Sequence, residues 1–138
     1  MTTDIPIVLR VSPQDFIEIS GIERFGDGSG YTSRLSVSSG RFSCSDHAFY
    51  FDNFERFAKN LATAYERVEG KAHLGHTFET DFFEIQVFRG GRVSVSGVII
   101  QHGPPRQDLR FGFRCDQTFL PDVLRSLSEA GRDLDVCA

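Results

Sequence analysis

The chain has 138 residues, 40% of them hydrophobic and 25% charged, which suits a globular protein that buries its own core. A net charge of −4 argues against a protein that binds nucleic acid through its phosphates, because that role needs clustered lysine and arginine. The apolar runs fall short of the roughly 20 residues of a membrane span, and the N-terminus lacks a signal-peptide pattern. The three cysteines, Cys44, Cys115 and Cys137, are odd in number and widely spaced, which indicates reduced thiols in the cytoplasm.

Residues 1–50 are predicted to form short strands, because apolar and polar residues alternate with a period of two. Residues 41–50 show the weakest alternation of this region. The glycine-rich stretch 24–31 predicts an exposed hairpin tip. The residues expected on the alternating faces are Ile5, Ile7, Leu9, Val11, Ile17, Ile19, Tyr31, Ser33, Leu35 and Val37.

Residues 52–69 are predicted to form an amphipathic helix. Asp52, followed by Glu55 three residues later, resembles a capping box at its start, and Gly70 is a typical residue for its end. The predicted apolar stripe consists of Phe54, Phe57, Ala58, Leu61, Tyr65 and Val68.

Residues 71–115 are predicted to form antiparallel strands, three of which alternate clearly. A two-residue turn at Gly90 and Gly91 would place the apolar faces of the first two strands on opposite sides of the sheet. A three-residue turn over 89–91, with Gly91 in the left-handed conformation, keeps them on one side. The latter register pairs Val87 with Val93 and Ile85 with Val95.

Residues 118–130 predict a second amphipathic helix, and residues 132–138 a loosely held tail. The order strands, helix, strands, helix predicts one α+β domain over residues 1–138. In this fold one or more antiparallel sheet layers carry both helices packed on one face.

Cys115 and Asp116 lie at the junction between a strand and this helix, where a thiolate could serve as a nucleophile. Strand alternation instead points Cys115 into the core, where a thiol is inert. Asp116, Gln117 and Thr118 are then interpreted as a structural helix start, because Asp and Thr side chains satisfy free backbone amides there. We therefore predict no catalytic residue.

Two further sets contain the residue types of a metal site and of a catalytic triad, but the sequence does not indicate the spatial arrangement that either site requires. His73 and His76 could bind a metal on a helix, but on a strand residues three apart face opposite ways. Ser43, Asp46 and His47 contain the letters of a catalytic triad, which is however assembled in space and not in sequence. We predict neither a metal nor a cofactor. The arginines Arg106, Arg110 and Arg114 share a strand face that we interpret as solvated.

The acidic residues Glu79, Asp81 and Glu84 surround Phe82 at the start of a strand. Phe82 and Phe88 are out of phase with the apolar face of that strand, so they should point away from its core. A second layer, such as the N-terminal strands, could cover the two rings. If they are instead exposed, Glu79, Asp81, Phe82 and Glu84 form a partner-binding patch.

Three stretches of the second half resemble a known protein family: "FDNFERFAKNLATAYERVEGKAHL", "GGRVSVSGVI" and "FRCDQTFLPDVLRSL", matching best at Asp116 to Leu120. Over about residues 30–131 the chain resembles WapI-type immunity proteins and related small bacterial domains of unknown function. The resemblance implies a small cytoplasmic bacterial protein that binds and occludes a toxin and has no catalytic residues.

The function expected from the sequence is a non-catalytic protein-binding module, immunity-like, that blocks a cognate bacterial toxin and acts as a monomer or homodimer. One alternative is an α+β domain that binds a small molecule in a cleft lined by some of the 14 phenylalanines. A second is an enzyme that depends on a cysteine or a metal. We expect no nucleic acid and no membrane among its partners.

Overall fold

A computed structural model describes residues 1–136, and its elements follow the predicted order of strands, helix, strands and helix. The predicted α+β fold is confirmed. The nine strands of the described residues are β1 (Thr2–Thr3), β2 (Ile7–Ser12), β3 (Asp15–Arg24), β4 (Tyr31–Ser39), β5 (Phe42–Phe51), β6 (Gly70–Gly75), β7 (Phe82–Val87), β8 (Arg92–Gln101) and β9 (Gln107–Asp116). The two α-helices are α1 (Phe54–Arg67) and α2 (Leu120–Asp133), and a short 3-10 turn, Gln117–Phe119, precedes α2.

The strands form two antiparallel sheets. In the first sheet the order is β1-β3-β4-β5, and β2 also pairs with β3; in the second it is β6-β7-β8-β9. The predicted apolar alternation is confirmed, since Ile7, Leu9, Ile17, Ile19 and Leu35 are all buried. One inner face of each sheet therefore supplies the core.

The weak alternation of β5 has a structural cause, which is a bulge in its pairing with β4. Leu35 pairs with His47 and Val37 pairs with Cys44, so two residues of β5 stand opposite the single residue between them on β4. Asp46 in the bulge has a positive φ of 56°. Because of the extra residue, Cys44 and His47 both lie on the side of the strand that faces the core.

The hairpin between β7 and β8 has the predicted register, with Val87 opposite Val93 and Ile85 opposite Val95. The Phe88 N–H donates to the Arg92 carbonyl at 2.8 Å, which leaves the three residues 89–91 as the loop. Gly91 has the predicted positive φ, 89°, and Gly90 also has a positive φ, 91°. Period-two alternation is sufficient to set this register, because a one-residue shift would expose an entire apolar face.

The region around α1 corrects two predictions. Asp52 does not cap the helix, because Asn53 occupies the N-cap position and Asp52 binds Thr77 instead. Gly70 does not end the helix either; Val68, with a left-handed φ of 54°, is the C-cap. Gly70 begins β6, an edge strand that the sequence did not separate from its surroundings, since its glycine ends and single histidine weaken the alternation.

The tail prediction is wrong for residues 132–136. Helix α2 continues to Asp133, and Leu134 is fully buried. The Thr3 hydroxyl donates to the Asp133 carboxylate at 2.8 Å, so the helix end is tied to β1. The last two residues of the predicted tail, including Cys137, lie outside the described residues. No helix of the described residues combines the length and the apolar composition that crossing a bilayer requires.

Aromatic rings join the two sheets and α1 into one core. Phe49 of the first sheet lies 6.0 Å from Phe83 of the second, measured between ring centroids, and Phe57 of α1 meets Phe83 edge-on at 5.6 Å. Helix α1 packs on β6 and β7, and α2 packs on β2 and on α1. The rings therefore fill the space between sheet and helix, where the sequence had suggested a ligand cleft as an alternative.

Candidate partner-binding surface

The loop between β6 and β7, residues 76–81, presents the most exposed large hydrophobic side chain of the described residues. Phe78 is 88% exposed, and Thr77, Glu79 and Thr80 beside it are exposed as well. The Phe78 ring lies 6.0 Å from that of His76 between centroids, but most of its apolar surface stays in water, where it can anchor a partner by becoming buried. We define this loop as the 76–81 loop.

The C-terminal end of the 76–81 loop is held by a short contact between the Asp81 carboxylate and the imidazole of His47 on β5. Asp81 is only 8% exposed, and its Oδ2 lies 2.6 Å from His47 Nε2. His47 faces the core because it alternates in phase with the buried Phe49 and Phe51 and pairs with the buried Leu35. Asp81 therefore supports the loop from inside, whereas Glu79 faces solvent.

The N-terminal end of the loop is held by the segment that links β5 to α1. The Asp52 carboxylate accepts hydrogen bonds from the Thr77 N–H at 3.1 Å and from the Thr77 hydroxyl at 2.7 Å. Burial raises the pKa of Asp52, but the Thr77 hydrogen bonds and nearby His76 outweigh it and lower that pKa below its ordinary value. Asn53 adds bonds to the backbone of β6, so the loop is tied at both ends.

Next to the loop, the outer face of β6 and β7 brings together a histidine, an aromatic ring and a carboxylate. The His73 ring stacks on Phe82 with centroids 5.0 Å apart, and its Nδ1 lies 3.2 Å from Glu84 Oε1. Among residues 1–136, no second sheet layer covers the out-of-phase rings: Phe82 is half-buried beside His73, and Phe88 is 39% exposed. The structure thus places Phe82 and Glu84 on one face, beside the loop that carries Glu79.

Phe78 is the residue of this surface that the sequence analysis missed. It follows His76 and Thr77 and precedes Glu79, outside any apolar alternation. An isolated aromatic residue in a polar stretch is the signal that could have identified it, because such a residue has no core partner.

The described cysteines lack the environment of a nucleophile. Cys115 is half-buried, and burial together with the charge of Asp116 raises its pKa to about 11. Burial and the charge of Asp81 likewise raise the pKa of Cys44. Asp116 accepts a hydrogen bond from the Thr118 N–H at 2.9 Å at the start of the 3-10 turn. Both described thiols are therefore protonated at neutral pH, and Asp116 is engaged in helix capping.

One family model matches most of this chain. The model of the Immunity protein WapI-like family matches residues 9–134. The chain belongs to the WapI-like immunity protein family. The match includes the N-terminal strands, so the range of 30–131 inferred from the sequence was too narrow. A search of the curated proteins and a search of the solved structures each found no match.

The two histidines that flank Leu74 and Gly75 in this WapI-like chain point to different partners. His73 contacts Phe82 and Glu84 on the sheet face, whereas His76 Nδ1 accepts a hydrogen bond from the Phe78 N–H at 3.1 Å. Within residues 1–136 no group of three or more His, Cys, Asp and Glu side chains has the geometry of a metal site. His76 therefore contacts the 76–81 loop, whereas His73 contacts the outer face of the sheet.

The triad letters of β5 are also separated in the folded WapI-like chain. His47 binds Asp81, which is distant in sequence, and Asp46 lies instead beside Arg34, with 3.8 Å between carboxylate and guanidinium. Ser43 is exposed. The three residues therefore make no common hydrogen-bonded chain among the described contacts, and His47 instead contacts the carboxylate that supports the 76–81 loop.

Because Cys115 is protonated at neutral pH, we predict that its thiol reacts slowly with alkylating reagents. With a pKa of about 11, only about one thiol in three thousand is ionised at pH 7.5. In a variant with Cys44→Ser and Cys137→Ser, we expect iodoacetamide to modify Cys115 at least roughly 100-fold more slowly than a free cysteine in solution. Mass spectrometry over time measures the rate, and the same variant in urea provides the control. Modification of the folded variant at the free-cysteine rate would restore the nucleophile hypothesis.

Proposed function

We propose that this chain binds the toxic domain of a cognate bacterial toxin in the cytoplasm and neutralises it by occlusion, without catalysis. The contact surface consists of the 76–81 loop and the adjoining outer face of β6 and β7. Membership of the WapI-like immunity family supports the class of function. The observation that carries the location is Phe78, 88% exposed at the tip of a loop whose two ends are tied to the core.

The ties at the loop ends favour tight binding. An ordered loop loses less conformational entropy when a partner docks on it than a free loop does. The buried Asp81–His47 pair and the double hydrogen bond between Asp52 and Thr77 supply that order. Phe78 can therefore present its ring in a defined position, as an interface anchor requires.

The charges around the loop indicate the chemistry of the toxin surface. Glu79 and Glu84 flank the aromatic residues, and Asp52 is kept ionised by its low pKa. A carboxylate rim around an apolar centre complements a toxin surface with a hydrophobic pocket surrounded by lysine and arginine. Such a rim contributes chiefly to the association rate and to specificity, while the aromatic centre contributes most of the affinity.

The proposal is tested by expressing the chain together with the toxic C-terminal domain of a large secreted protein encoded beside its gene. We expect cells that make both proteins to grow and an affinity tag on the chain to co-purify the toxic domain. Cells that make the toxic domain with the chain truncated after residue 50 serve as the control. Continued killing in the presence of abundant, folded, full-length chain would contradict the proposal.

A further inference from the structure

The outer face of the second sheet contains a second surface, at the end opposite the 76–81 loop. Phe88 lies six positions after Phe82, directly beyond the end of β7, which corresponds to roughly 20 Å at about 3.3 Å per residue. At the far end a groove of about 430 Å³ is lined by Phe88, Arg92, Val93, Ser94, Arg114 and Cys115. We name it the Arg92/Arg114 groove.

The register of the sheet sets the two arginines diagonally on neighbouring strands. Ser94 of β8 pairs with Arg114 of β9, and Arg92 lies two residues before Ser94 on the same face. Diagonal neighbours in an antiparallel pair are about 7–8 Å apart, within reach of one another for long side chains. The groove is therefore lined by two guanidinium groups and the Ser94 hydroxyl. The Phe88 ring, which is 39% exposed, also lines it.

The positive charge of this groove is largely uncompensated. Arg92, Arg114 and the nearby Lys71 are exposed, and none has an ion-pair partner within 4.0 Å in the described part of the chain. Asp116, opposite Arg92 in the register, is an anion beside the groove, but its carboxylate accepts hydrogen bonds from Thr118 and makes no ion pair with Arg92 within 4.0 Å. A chain with a net charge of −4 thus concentrates free cations on one sheet face.

An adjoining groove extends this basic surface. It measures about 490 Å³, shares Phe88 and Arg92 with the first groove, and adds Lys71 and Arg89. Arg89 is neutralised by Glu69, with 3.4 Å between the charged groups, so Lys71 is the cation that this groove contributes. A ligand that spans both grooves meets three free cations around one aromatic ring.

We propose that the Arg92/Arg114 groove binds an acidic segment of a partner protein. The fork of an arginine side chain matches a carboxylate with two parallel hydrogen bonds, and two forks in one groove match two carboxylates. The Phe88 ring provides an apolar contact for a hydrophobic residue between them. A nucleic acid fits less well, since it needs a longer basic track and several exposed aromatic residues. The proposal goes beyond the proposed function, because the two surfaces lie at opposite ends of the sheet and can fail separately.

The test is an NMR titration of the 15N-labelled full-length chain with a blocked peptide of sequence Glu-Glu-Phe-Glu-Glu. We expect saturable shifts of the backbone amides of Ser94 and Arg114, and no shifts with the matched peptide Gln-Gln-Phe-Gln-Gln. The variant Arg92→Gln/Arg114→Gln should bind the acidic peptide at least 10-fold more weakly, in the range expected when two charge-assisted contacts are lost. Its amide spectrum before titration shows whether it is folded.

The matched control is Arg56→Gln/Arg67→Gln, which removes the same charge from exposed positions on α1. Retained peptide binding in this control supports the proposal. Equal loss in both variants would show a general charge effect and overturn it, as would the absence of shifts at 5 mM peptide, a concentration well above the roughly millimolar Kd of a weak contact. Tighter binding of a single-stranded oligonucleotide at the same amides would also overturn it. None of these results bears on capture of a toxin through the 76–81 loop.

Discussion

Replacement of Gly97 by alanine is expected to destabilise the protein by about 3 kcal/mol or more, a large share of the roughly 5–15 kcal/mol that holds a typical domain folded. A Cβ atom at this position would lie 2.4 Å from the Phe82 carbonyl oxygen and 2.6 Å from Phe111 Cζ. The carbonyl belongs to the backbone of β7, which pairs with β8 on one side of Gly97. The clash therefore cannot be relieved by rotating a side chain, and the pairing of the two strands must change.

Gly112→Ala is the matched control for this substitution. Gly112 lies in β9, the neighbouring strand of the same sheet, and a Cβ there would meet its nearest atom at 3.6 Å, an ordinary contact. We expect Gly112→Ala to change the free energy of unfolding by less than about 1 kcal/mol. Urea denaturation followed by circular dichroism measures both variants. Equal stability of the two variants would show that the close packing of β7, β8 and Phe111 is not as described.

Phe78→Ser combined with Glu79→Lys is expected to weaken binding of the toxic domain at least roughly 100-fold, because it removes an interface anchor and reverses a charge on the rim. Both side chains are exposed, so the free energy of unfolding should change by no more than about 0.5 kcal/mol. Isothermal titration calorimetry with the purified toxic domain measures the affinity, and denaturation confirms that the variant folds as the native chain does.

The matched control is Phe42→Ser, which removes another exposed aromatic ring, 67% exposed, at the start of β5. Phe42 lies near Gly40 and Arg110, away from the 76–81 loop. We expect its affinity for the toxic domain to stay within about threefold of the native value, as for interface-remote substitutions. Equal weakening by both variants would point to a general loss of surface hydrophobicity, and unchanged binding by the loop variant would place the interface elsewhere.

Alternation and spacing predicted the parts of the fold whose periodicity is continuous. The register of the β7–β8 hairpin followed from one requirement, that Ile85, Val87, Val93 and Val95 share a buried face. Both helices followed from their apolar stripes, which lie against the sheets as expected. These features depend on neighbours in sequence, so the sequence alone contains the necessary information.

The features that escaped prediction depend on contacts between distant residues. The Asp52 side chain bonds to Thr77, 25 residues further along the chain, and so leaves the cap position to Asn53. The partner of Asp81 is His47, which is 34 residues earlier in the chain. A contact between residues so distant in sequence leaves no periodic trace, so the sequence placed Asp81 among the outward carboxylates. Its supporting role became visible only with the fold.

The most direct test of stoichiometric occlusion is a titration of the activity of the purified toxic domain with the purified chain. We expect inhibition to rise linearly with added chain and to be complete at one chain per toxic domain, as for a tight non-catalytic binder. Removal of the chain under denaturing conditions, followed by refolding of the toxic domain, should restore full activity of a chemically unmodified toxin. Complete and irreversible inactivation at about one chain per hundred toxic domains would show turnover, and it would contradict the account.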